Sequence, residues 1–317
     1  PNFRKVRDVI KANKYEWYDN YAMQVLDTSL EDLDKGFSMF YKGLCKHPKF
    51  KSKKQESKSI RFYRKNDSSI KVLGNKLYLP KFPYGIKLTE ELRFEGIIKT
   101  CTISQKADRY FASFTIDCTK PIPQINSDKK VGIDLGVKTF AVYADDEFIY
   151  EERYLSKIKA YYAKRDYLNK VLARKEKGSK RYFVAKTKLQ KVYLRIINMQ
   201  KDYLHKLTSY FTRTYGTITI ETLNVKGMLK LRNLAKSVYE SLFYNFKELL
   251  SYKSKLYGNN LVLADRWYAS TQTCWSCGKV KRGKDKLTLN DRTYTCECGY
   301  ENDRDHNAAL NLRDYSL

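Results

Sequence analysis

The sequence has 317 residues and a formal net charge of +27, from 62 lysines and arginines against 35 aspartates and glutamates. This length allows two or three domains, and no apolar run approaches the roughly 20 residues of a membrane-spanning helix, so the sequence predicts no membrane partner. A positive charge of this size favours polyanionic partners such as nucleic acids over ordinary solubility. Because 27 tyrosines and 15 phenylalanines lie among the lysines, base stacking beside phosphate contacts is expected.

The first 45 residues are predicted to be helical. Apolar residues between Tyr21 and Phe40 recur every three or four positions, as on one face of an amphipathic helix. The chain begins at Pro1 without a methionine, and we expect an N-terminal portion to be missing.

A basic segment follows, with ten lysines and arginines and one acid between Lys42 and Lys65. Such a run is either a solvated loop or a loop that contacts phosphates, and the aromatic residues within it favour the second interpretation. The candidate nucleic-acid contacts in this part of the chain are Lys49, Lys51, Lys53, Lys54, Arg61 and Arg64.

From Ser59 to Cys118 the apolar period changes to two. Five or six short alternating segments, bounded by Gly, Asn, Asp and Pro, are typical of strands and predict a small antiparallel β-barrel. A linker containing Pro121 and Pro123 closes this domain.

Residues 129–317 are predicted to form a mixed sheet flanked by helices, on the plan of ribonuclease H. The elements expected in order are strands Lys130–Leu135, Thr139–Ala144 and Glu147–Glu151, a helical insertion at 153–213, a strand ending at Glu221, a helix at Ser237–Tyr257, a strand at Asn260–Trp267 and a last helix from Asp305.

The helical insertion is predicted to be an antiparallel hairpin, because two long helical patterns are separated at Gly178. Its 18 basic and 3 acidic residues give 18 − 3 = +15, so one face is expected to pack and the other to meet phosphates. The candidate contacts here are Arg165, Arg174, Lys180 and Arg181.

Four of the seven cysteines form two close pairs, with two residues inside the first pair, one inside the second and eighteen between them. This spacing predicts a zinc ribbon with tetrahedral thiolate ligands. The ligands are Cys274, Cys277, Cys296 and Cys298. The remaining Cys45, Cys101 and Cys118 are interpreted as reduced core thiols, and the whole pattern favours a cytosolic protein.

Three carboxylates lie where a structural residue would be apolar or capping. Asp134 interrupts a core strand, Glu221 ends a second strand, and Asp305 opens the last helix. In the predicted sheet they converge as oxygen ligands for two Mg²⁺ ions, which would cleave a phosphodiester. The alternatives are a turn aspartate at Asp134 and helix capping by Asp303 or Asp305.

The motifs GIDLG, IETLN, RWYASTQTCWSCG, YTCECG and DRDHNAALN resemble those of the transposon-associated TnpB (OrfB) proteins, compact RNA-guided DNA nucleases related to the type V CRISPR effectors. Upstream, LEDLDKGFSMFYKG and HPKFKSKK resemble the helices and basic loop of that family's recognition lobe. The resemblance extends over essentially the whole chain.

The resemblance implies an α+β multidomain fold. A helical recognition lobe, N-terminally incomplete, would occupy residues 1–58, and a β-barrel wedge-like domain would occupy 59–128. A RuvC-like (RNase H-like) nuclease domain would occupy 129–317, with the helical insertion at 153–213 and a zinc ribbon at 268–300.

Matched position by position, the motifs imply that the catalytic ligands of two Mg²⁺ ions, with Mn²⁺ as a substitute, are Asp134, Glu221 and Asp305. Asp303 would be a neighbouring acid. The four paired cysteines would hold one structural Zn²⁺. The implied partners are a guide RNA and a double-stranded DNA target with its unwound strands, bound by a monomer or a homodimer in the prokaryotic cytoplasm, at the nucleoid.

The function implied is RNA-guided cleavage of DNA next to a short flanking motif. The first alternative is an RNA-guided repressor or RNA-binding autoregulator, since some relatives have lost the acids. This chain retains all three, which favours cleavage. An unguided structure-specific nuclease is the remaining alternative.

Overall fold

The chain folds into two compact units. Unit 1 comprises Pro1–Pro121 and Arg174–Leu194, and unit 2 comprises Ile122–Ala173 and Arg195–Leu317. The residues that this computed structural model describes are 3–13, 15, 20–50, 58–66, 69–118, 124–137, 139–145, 149–152, 156–228, 230, 242–288 and 290–315.

Unit 1 begins with two helices, α1 (Phe3–Ala12) and α2 (Met23–Tyr41), where the sequence predicts helix. The strands that follow are β1 (Lys58–Tyr63), β2 (Lys71–Leu73), β3 (Lys76–Leu79), β4 (Phe82–Lys87), β5 (Gly96–Lys106) and β6 (Arg109–Cys118). Helix α2 packs against β1, where the buried Thr28 Oγ1 donates a hydrogen bond to Arg61 O at 2.9 Å.

The strands of unit 1 do not close into the predicted barrel. Within the described residues they form two antiparallel sheets, ordered β1-β5-β6 and β2-β3-β4. The apolar core includes Phe62, Leu77, Leu79 and Cys101, which come from both sheets. Strands β2 to β4 are only 3 to 6 residues long and pair with one another as hairpins, so the sheets meet through their apolar faces rather than through edge hydrogen bonds.

The prediction that the three unpaired cysteines are core thiols is wrong for two of them. Cys101, in the middle of β5, is buried, whereas Cys45 and Cys118 are exposed. Cys118 is the last residue of β6 and Cys45 lies in the segment after α2, so neither is enclosed by neighbouring elements.

Unit 2 contains a five-stranded mixed sheet in the order β11-β10-β7-β8-β9. Its strands are β7 (Lys130–Leu135), β8 (Ala141–Ala144), β9 (Ile149–Glu152), β10 (Thr217–Ile220) and β11 (Asn260–Leu263). Strand β10 runs parallel to β7 and β11, while β8 runs antiparallel to β7 and β9. This is the predicted plan of ribonuclease H, with somewhat shorter strands than the sequence patterns indicate.

The helices of the chain after β9 are α3 (Ser156–Ala173), α4 (Lys180–Thr214), α5 (Val225–Met228), α6 (Phe243–Tyr257) and α7 (Arg304–Arg313). The predicted break at Gly178 separates α3 from α4, and Gln200 Nε2 donates to Tyr162 OH at 2.9 Å. The predicted start of the helix before β11, at Ser237, lies outside the described residues.

No helix of the described chain is long and apolar enough to cross a membrane.

The two faces of the sheet in unit 2 are covered by different helices. On one face, Ile133 and Tyr143 join a core with Phe211 of α4 and Phe246 of α6. On the other face, Val142 and Ala144 pack against Ala309 and Leu310 of α7. Because side chains alternate along a strand, Asp134 of β7 lies on the same face as Gly132, toward α7.

Candidate active site and cysteine cluster

Asp134 lies near the carboxyl end of the central strand β7 and is only 9% exposed. Gly132, two residues earlier on the same face, allows α7 to lie directly on the strand. A Cβ at that position would collide with backbone atoms of Ala309 and Arg313. The close approach of α7 therefore explains both the glycine and the burial of Asp134.

Glu221 directly follows the neighbouring strand β10, whose carboxyl end lies beside that of β7 because the two strands are parallel. Its Oε1 accepts a hydrogen bond from Leu135 N at 3.2 Å. This contact holds the Glu221 carboxylate across the end of β7, next to Asp134.

Asp305 lies in the first turn of α7, and the helix begins one residue earlier than predicted. The capping residue is Asp303, whose Oδ1 accepts from Asp305 N at 2.8 Å and from His306 N at 3.2 Å. The Asp305 side chain is therefore not used as the cap. Instead its Oδ1 accepts from Arg304 Nε and Nη2, at 3.2 and 3.1 Å.

The three acids interact electrostatically, and we name Asp134, Glu221 and Asp305 the carboxylate cluster. Burial, followed by repulsion from Glu221 and Asp305, raises the pKa of Asp134 well above its usual range. Burial also raises the pKa of Glu221 to about 7, although the hydrogen bond from Leu135 N favours its ionised form. Negative charge is thus poorly compensated at this site, and a bound cation would offset it.

The donor atoms of the carboxylate cluster are all carboxylate oxygens. Hard divalent cations such as Mg²⁺ prefer oxygen ligands and are commonly bound through carboxylates together with substrate phosphates. Of the nearby groups, Arg304 supplies the favourable positive charge at Asp134. The residues present therefore fit a divalent cation of this class.

The four paired cysteines form a second cluster, the cysteine cluster (Cys274, Cys277, Cys296 and Cys298), whose sulfur atoms all lie within 4.8 Å of one another. Two of the Sγ–Sγ distances are 3.7 and 3.6 Å. A tetrahedral zinc site with Zn–S bonds of about 2.3 Å has sulfur atoms about 3.8 Å apart. The geometry therefore fits a thiolate-bound metal ion.

Local turns assemble the cysteine cluster. Gly278 and Gly299 follow the two pairs with φ of 73° and 87°, a conformation that glycine adopts without strain. The backbone N–H of Cys298 lowers the pKa of the Cys296 thiol to about 7, which favours the thiolate that binds metal. Strands β12 (Thr293–Thr295) and β13 (Glu301–Asp303) pair antiparallel around the second cysteine pair.

Two asparagines of α7 join the cysteine cluster to the helix that carries Asp305. The buried Asn307 accepts from Trp275 N at 3.1 Å and donates to Thr273 O at 2.7 Å, so it binds the backbone on both sides of Cys274. Asn311 donates to the same Thr273 O at 2.8 Å. Neither asparagine was predicted from the sequence as part of the site, although two asparagines four positions apart mark one face of a helix.

Arg304 is a further residue of the site that was not predicted from the sequence. Its Nη1 donates to Thr288 O at 3.1 Å, while Nε and Nη2 bind Asp305. Arginine can reach both partners because its planar guanidinium presents several fixed donors. The signal available in the sequence is its position between two aspartates in the DRD motif.

The predicted nucleic-acid contacts have different environments. Arg61 forms an ion pair with Asp32 at 2.6 Å, and Arg165 pairs with Asp166 at 2.8 Å. Arg64 is half-buried. Exposed candidates are Lys49, Arg174, Lys180 and Arg181. Lys51, Lys53 and Lys54 lie outside the described residues. The role of all ten residues as nucleic-acid contacts stays a prediction.

The chain has an α+β multidomain fold, and the mixed sheet of unit 2 has the strand order of ribonuclease H. The chain matches a protein in the structure titled "Cryo-EM structure of the Cas12f1-sgRNA-target DNA complex" with a TM-score of 0.59 and 14% identity, over 90% of this chain and 70% of that chain. At this identity the match concerns the fold.

Sequence comparisons agree with the fold. The family OrfB_IS605, described as "Probable transposase", matches residues 113–232, and the Cas12f1-like TNB domain matches residues 243–312. A Streptomyces pristinaespiralis protein named "Putative RNA-guided DNA endonuclease" is 33% identical over 95% of this chain and 73% of its own length. The "TnpB-like protein L79" of Acanthamoeba polyphaga mimivirus is 31% identical over 70% of this chain and 44% of its own length. The chain belongs to the TnpB family, which is related to the type V effectors.

Proposed function

We propose that this protein is an RNA-guided DNA endonuclease that cleaves double-stranded DNA with the carboxylate cluster. The observation that supports this most directly is the meeting of Asp134, Glu221 and Asp305 at one edge of the sheet. The similarity to a protein named as an RNA-guided DNA endonuclease supports the same reaction class.

The three carboxylates would hold two Mg²⁺ ions, with Mn²⁺ as a substitute. When bound, such ions activate the attacking water and stabilise the leaving 3′-oxygen of a phosphodiester. Leu135 N fixes the position of Glu221, and Asp303 caps α7, so the Asp305 carboxylate is not used for capping and is held by Arg304 instead. Burial of Asp134 beside α7 excludes bulk water on that side of the site.

Guide RNA and target DNA are the proposed partners. In RNA-guided recognition, base pairing reads the sequence and the protein mainly contacts the nucleic-acid backbone, which suits a net charge of +27 spread over the chain. Among the predicted contacts that the structure describes, Lys49, Arg174, Lys180 and Arg181 are exposed and so accessible to phosphates.

The cysteine cluster is proposed to hold one structural Zn²⁺. Four sulfur atoms at tetrahedral spacing leave no open position for a water molecule or a substrate, which is the usual difference between structural and catalytic zinc sites. Through Asn307, this zinc would also stabilise the helix that carries Asp305.

The test is cleavage of a plasmid that carries a guide-matched target next to a randomised flank, with purified protein, guide RNA and Mg²⁺. Linearisation by the wild type, and its loss in Asp134→Ala, are expected. A target that is bound and protected but never cut would instead identify an RNA-guided repressor. Cleavage of branched DNA without RNA would identify an unguided nuclease.

A further inference from the structure

Trp267 is 82% exposed, which is unusual for a side chain of this size. The other described tryptophan, Trp275, is 39% exposed, and its indole Nε1 donates to Asp314 Oδ2 at 2.7 Å. By contrast, the described contact of the Trp267 ring is with Arg266, whose guanidinium carbon lies 5.2 Å from the ring centroid. One indole is therefore used within the fold and the other faces solvent.

The backbone that carries Trp267 is held in place by the fold. Trp267 N donates to Asp265 Oδ1 at 2.7 Å, and Tyr268 N donates to Asp265 O at 3.0 Å. The next side chain, Tyr268, donates from its hydroxyl to Asn311 O at 3.2 Å and packs edge-on against Tyr315 at 4.7 Å. The exposed indole is thus presented by a turn that is fixed on α7 and the residues after it.

This turn begins at the edge of the sheet where the carboxylate cluster lies. Strands β10 and β11 are parallel, so their carboxyl ends lie side by side. Ala264 N donates to Ile220 O at 2.9 Å, and Ala264 O accepts from Thr222 Oγ1 at 2.7 Å. The peptide three residues before Trp267 is therefore bound to the residues on both sides of Glu221.

An exposed ring beside an arginine suits a nucleotide better than an apolar partner. A base can stack on the indole, and the adjacent guanidinium can contact the phosphate or extend the stacked surface. A protein partner would be expected to cover a contiguous apolar patch, but Arg266 and Asp265 next to Trp267 are both exposed and charged. The chemistry of this surface thus favours an unpaired nucleobase.

We propose that Trp267 is a base-stacking site for an unpaired nucleotide of the DNA strand that reaches the carboxylate cluster. The assignment to DNA rests on the proposed function, because the strand to be cut must pass this edge of the sheet. Guide RNA shares the same base chemistry and is the competing source of the nucleotide. Arg266 assists as the neighbouring cation.

The direct test is photocrosslinking. The complex of protein and guide RNA is irradiated with a target whose displaced strand carries 5-bromodeoxyuridine at successive positions, in Ca²⁺ to slow cleavage, and the modified peptide is identified by mass spectrometry. A crosslink to Trp267 at one or two adjacent positions, with none to Trp275, is expected. Crosslinks only from a 5-bromouridine-labelled guide, or none to Trp267 with either label, would overturn the proposal.

The quantitative test uses Trp267→Leu, which keeps an apolar side chain without a π face, and Trp267→Phe, which keeps a ring. Stacking contributes enough that Leu should weaken binding of a short single-stranded DNA about tenfold, while Phe should recover most of it. An abasic site at the crosslinked position should weaken wild-type binding similarly and leave Trp267→Leu unaffected. Equal affinity of both variants and the wild type would contradict the proposal.

Failure of this inference can be distinguished from failure of the proposed function. Asp134→Ala should lose cleavage but keep the Trp267 crosslink and the affinity for single-stranded DNA. If the wild type does not cleave yet crosslinks through Trp267 to DNA, the stacking site stands and the nuclease proposal fails. If Trp267→Leu does not fold, as judged by thermal unfolding, the wild-type crosslink and Trp267→Phe still decide the question.

Discussion

The carboxylate cluster and the cysteine cluster lie in the same unit, and both have donor sets that suit a cation, but they are assembled differently. The carboxylates come from positions 134, 221 and 305, which meet only because β7, β10 and α7 pack together. The thiolates come from residues 274–298, where two turns and a short hairpin gather them locally. The first cluster therefore depends on long-range packing, and the second on local backbone geometry.

The two clusters also differ in their electrostatics. Burial and mutual repulsion raise the pKa values of Asp134 and Glu221, so ionising these groups without a cation destabilises the fold. In the cysteine cluster the effects are mixed, because the backbone N–H of Cys298 lowers the pKa of Cys296 to about 7, whereas burial raises the pKa of Cys274 to about 12. The carboxylate cluster therefore lowers the stability of the fold when no cation is bound, whereas metal binding to the cysteine cluster is expected to add stability.

The largest expected effect is on cleavage. Asp134→Asn should reduce plasmid cleavage by at least about a thousandfold, because it removes a ligand for the ions that supply most of the rate enhancement. The same change should raise the thermal midpoint of the metal-free protein at neutral pH, since it removes a buried carboxyl group whose raised pKa destabilises the folded state. Rates and melting curves measured together test both parts.

Asp285→Asn is the matched control for this prediction. It makes the same substitution at an exposed residue of the short 3-10 turn Gly283–Asp285, which is not a member of the carboxylate cluster. Its cleavage rate should stay within about twofold of the wild type, as expected for a surface substitution. A residual rate within tenfold of wild type in Asp134→Asn would remove this residue from the proposed mechanism.

The second prediction concerns the cysteine cluster. Cys274→Ser should lose the bound zinc and the local fold of residues 268–300, since structural zinc contributes about 10–16 kcal/mol of apparent free energy in small zinc domains. Cleavage should fall because Asn307 loses its ordered backbone partners. Zinc content by mass spectrometry and limited proteolysis provide the measurements.

Cys118→Ser is the control, because this exposed cysteine lies in unit 1 and outside the cluster. It should keep one zinc per chain and full activity. In contrast to Asp134→Asn, Cys274→Ser is expected to be less stable than the wild type. Equal stability and zinc content in the two cysteine variants would show that the cluster is not a structural metal site.

The third prediction tests the connection between the clusters. Asn307→Ala leaves Trp275 N without its side-chain partner, while Thr273 O keeps the hydrogen bond from Asn311, and should cost about 1–3 kcal/mol of unfolding free energy. Zinc should still bind but be released faster to a chelator, and cleavage should fall. Chemical denaturation and chelation kinetics measure the two effects.

The control is Asn290→Ala, at an exposed position of the segment 268–300 that carries the cysteine cluster. It should change none of these quantities. If Asn307→Ala destabilises the protein but leaves both zinc release and cleavage as in wild type, the asparagine serves packing alone. The two clusters would then be independent.

The smallest expected effect is on the pH dependence of stability without divalent cations. The folded-state pKa of Glu221 is about 7 against 4.5 for the free group, so the unfolded chain loses this proton first as pH rises. The contribution of Glu221 to the free energy of unfolding should therefore fall between pH 4.5 and 7, by roughly 1–3 kcal/mol. Urea denaturation in EDTA measures this slope.

Glu221→Gln should flatten the slope, because the glutamine carries no titrating proton. Addition of Mg²⁺ to the wild type at pH 7 should recover part of the lost stability by binding the folded state alone. A slope that is unchanged in Glu221→Gln would mean that other carboxyl groups control this pH range.

The sequence by itself determined the parts of the protein that depend on neighbouring residues. The spacing of the cysteines predicted a cluster that the structure contains, and apolar periodicity predicted the order of strands and helices in unit 2. It also marked Asp134 as unusual, because a charged residue inside a core strand needs a reason. These signals are local, so they can be read along the chain.

Only the tertiary structure decided how distant segments meet. It showed two sheets where a barrel was predicted, since strand alternation does not specify which edges pair. It assigned the helix cap to Asp303 and left the Asp305 carboxylate in the cluster, a choice between two aspartates that their sequence positions leave open. It also paired Arg61 and Arg165 with acids and placed Asn307 against the first cysteine turn, because such contacts depend on packing between elements.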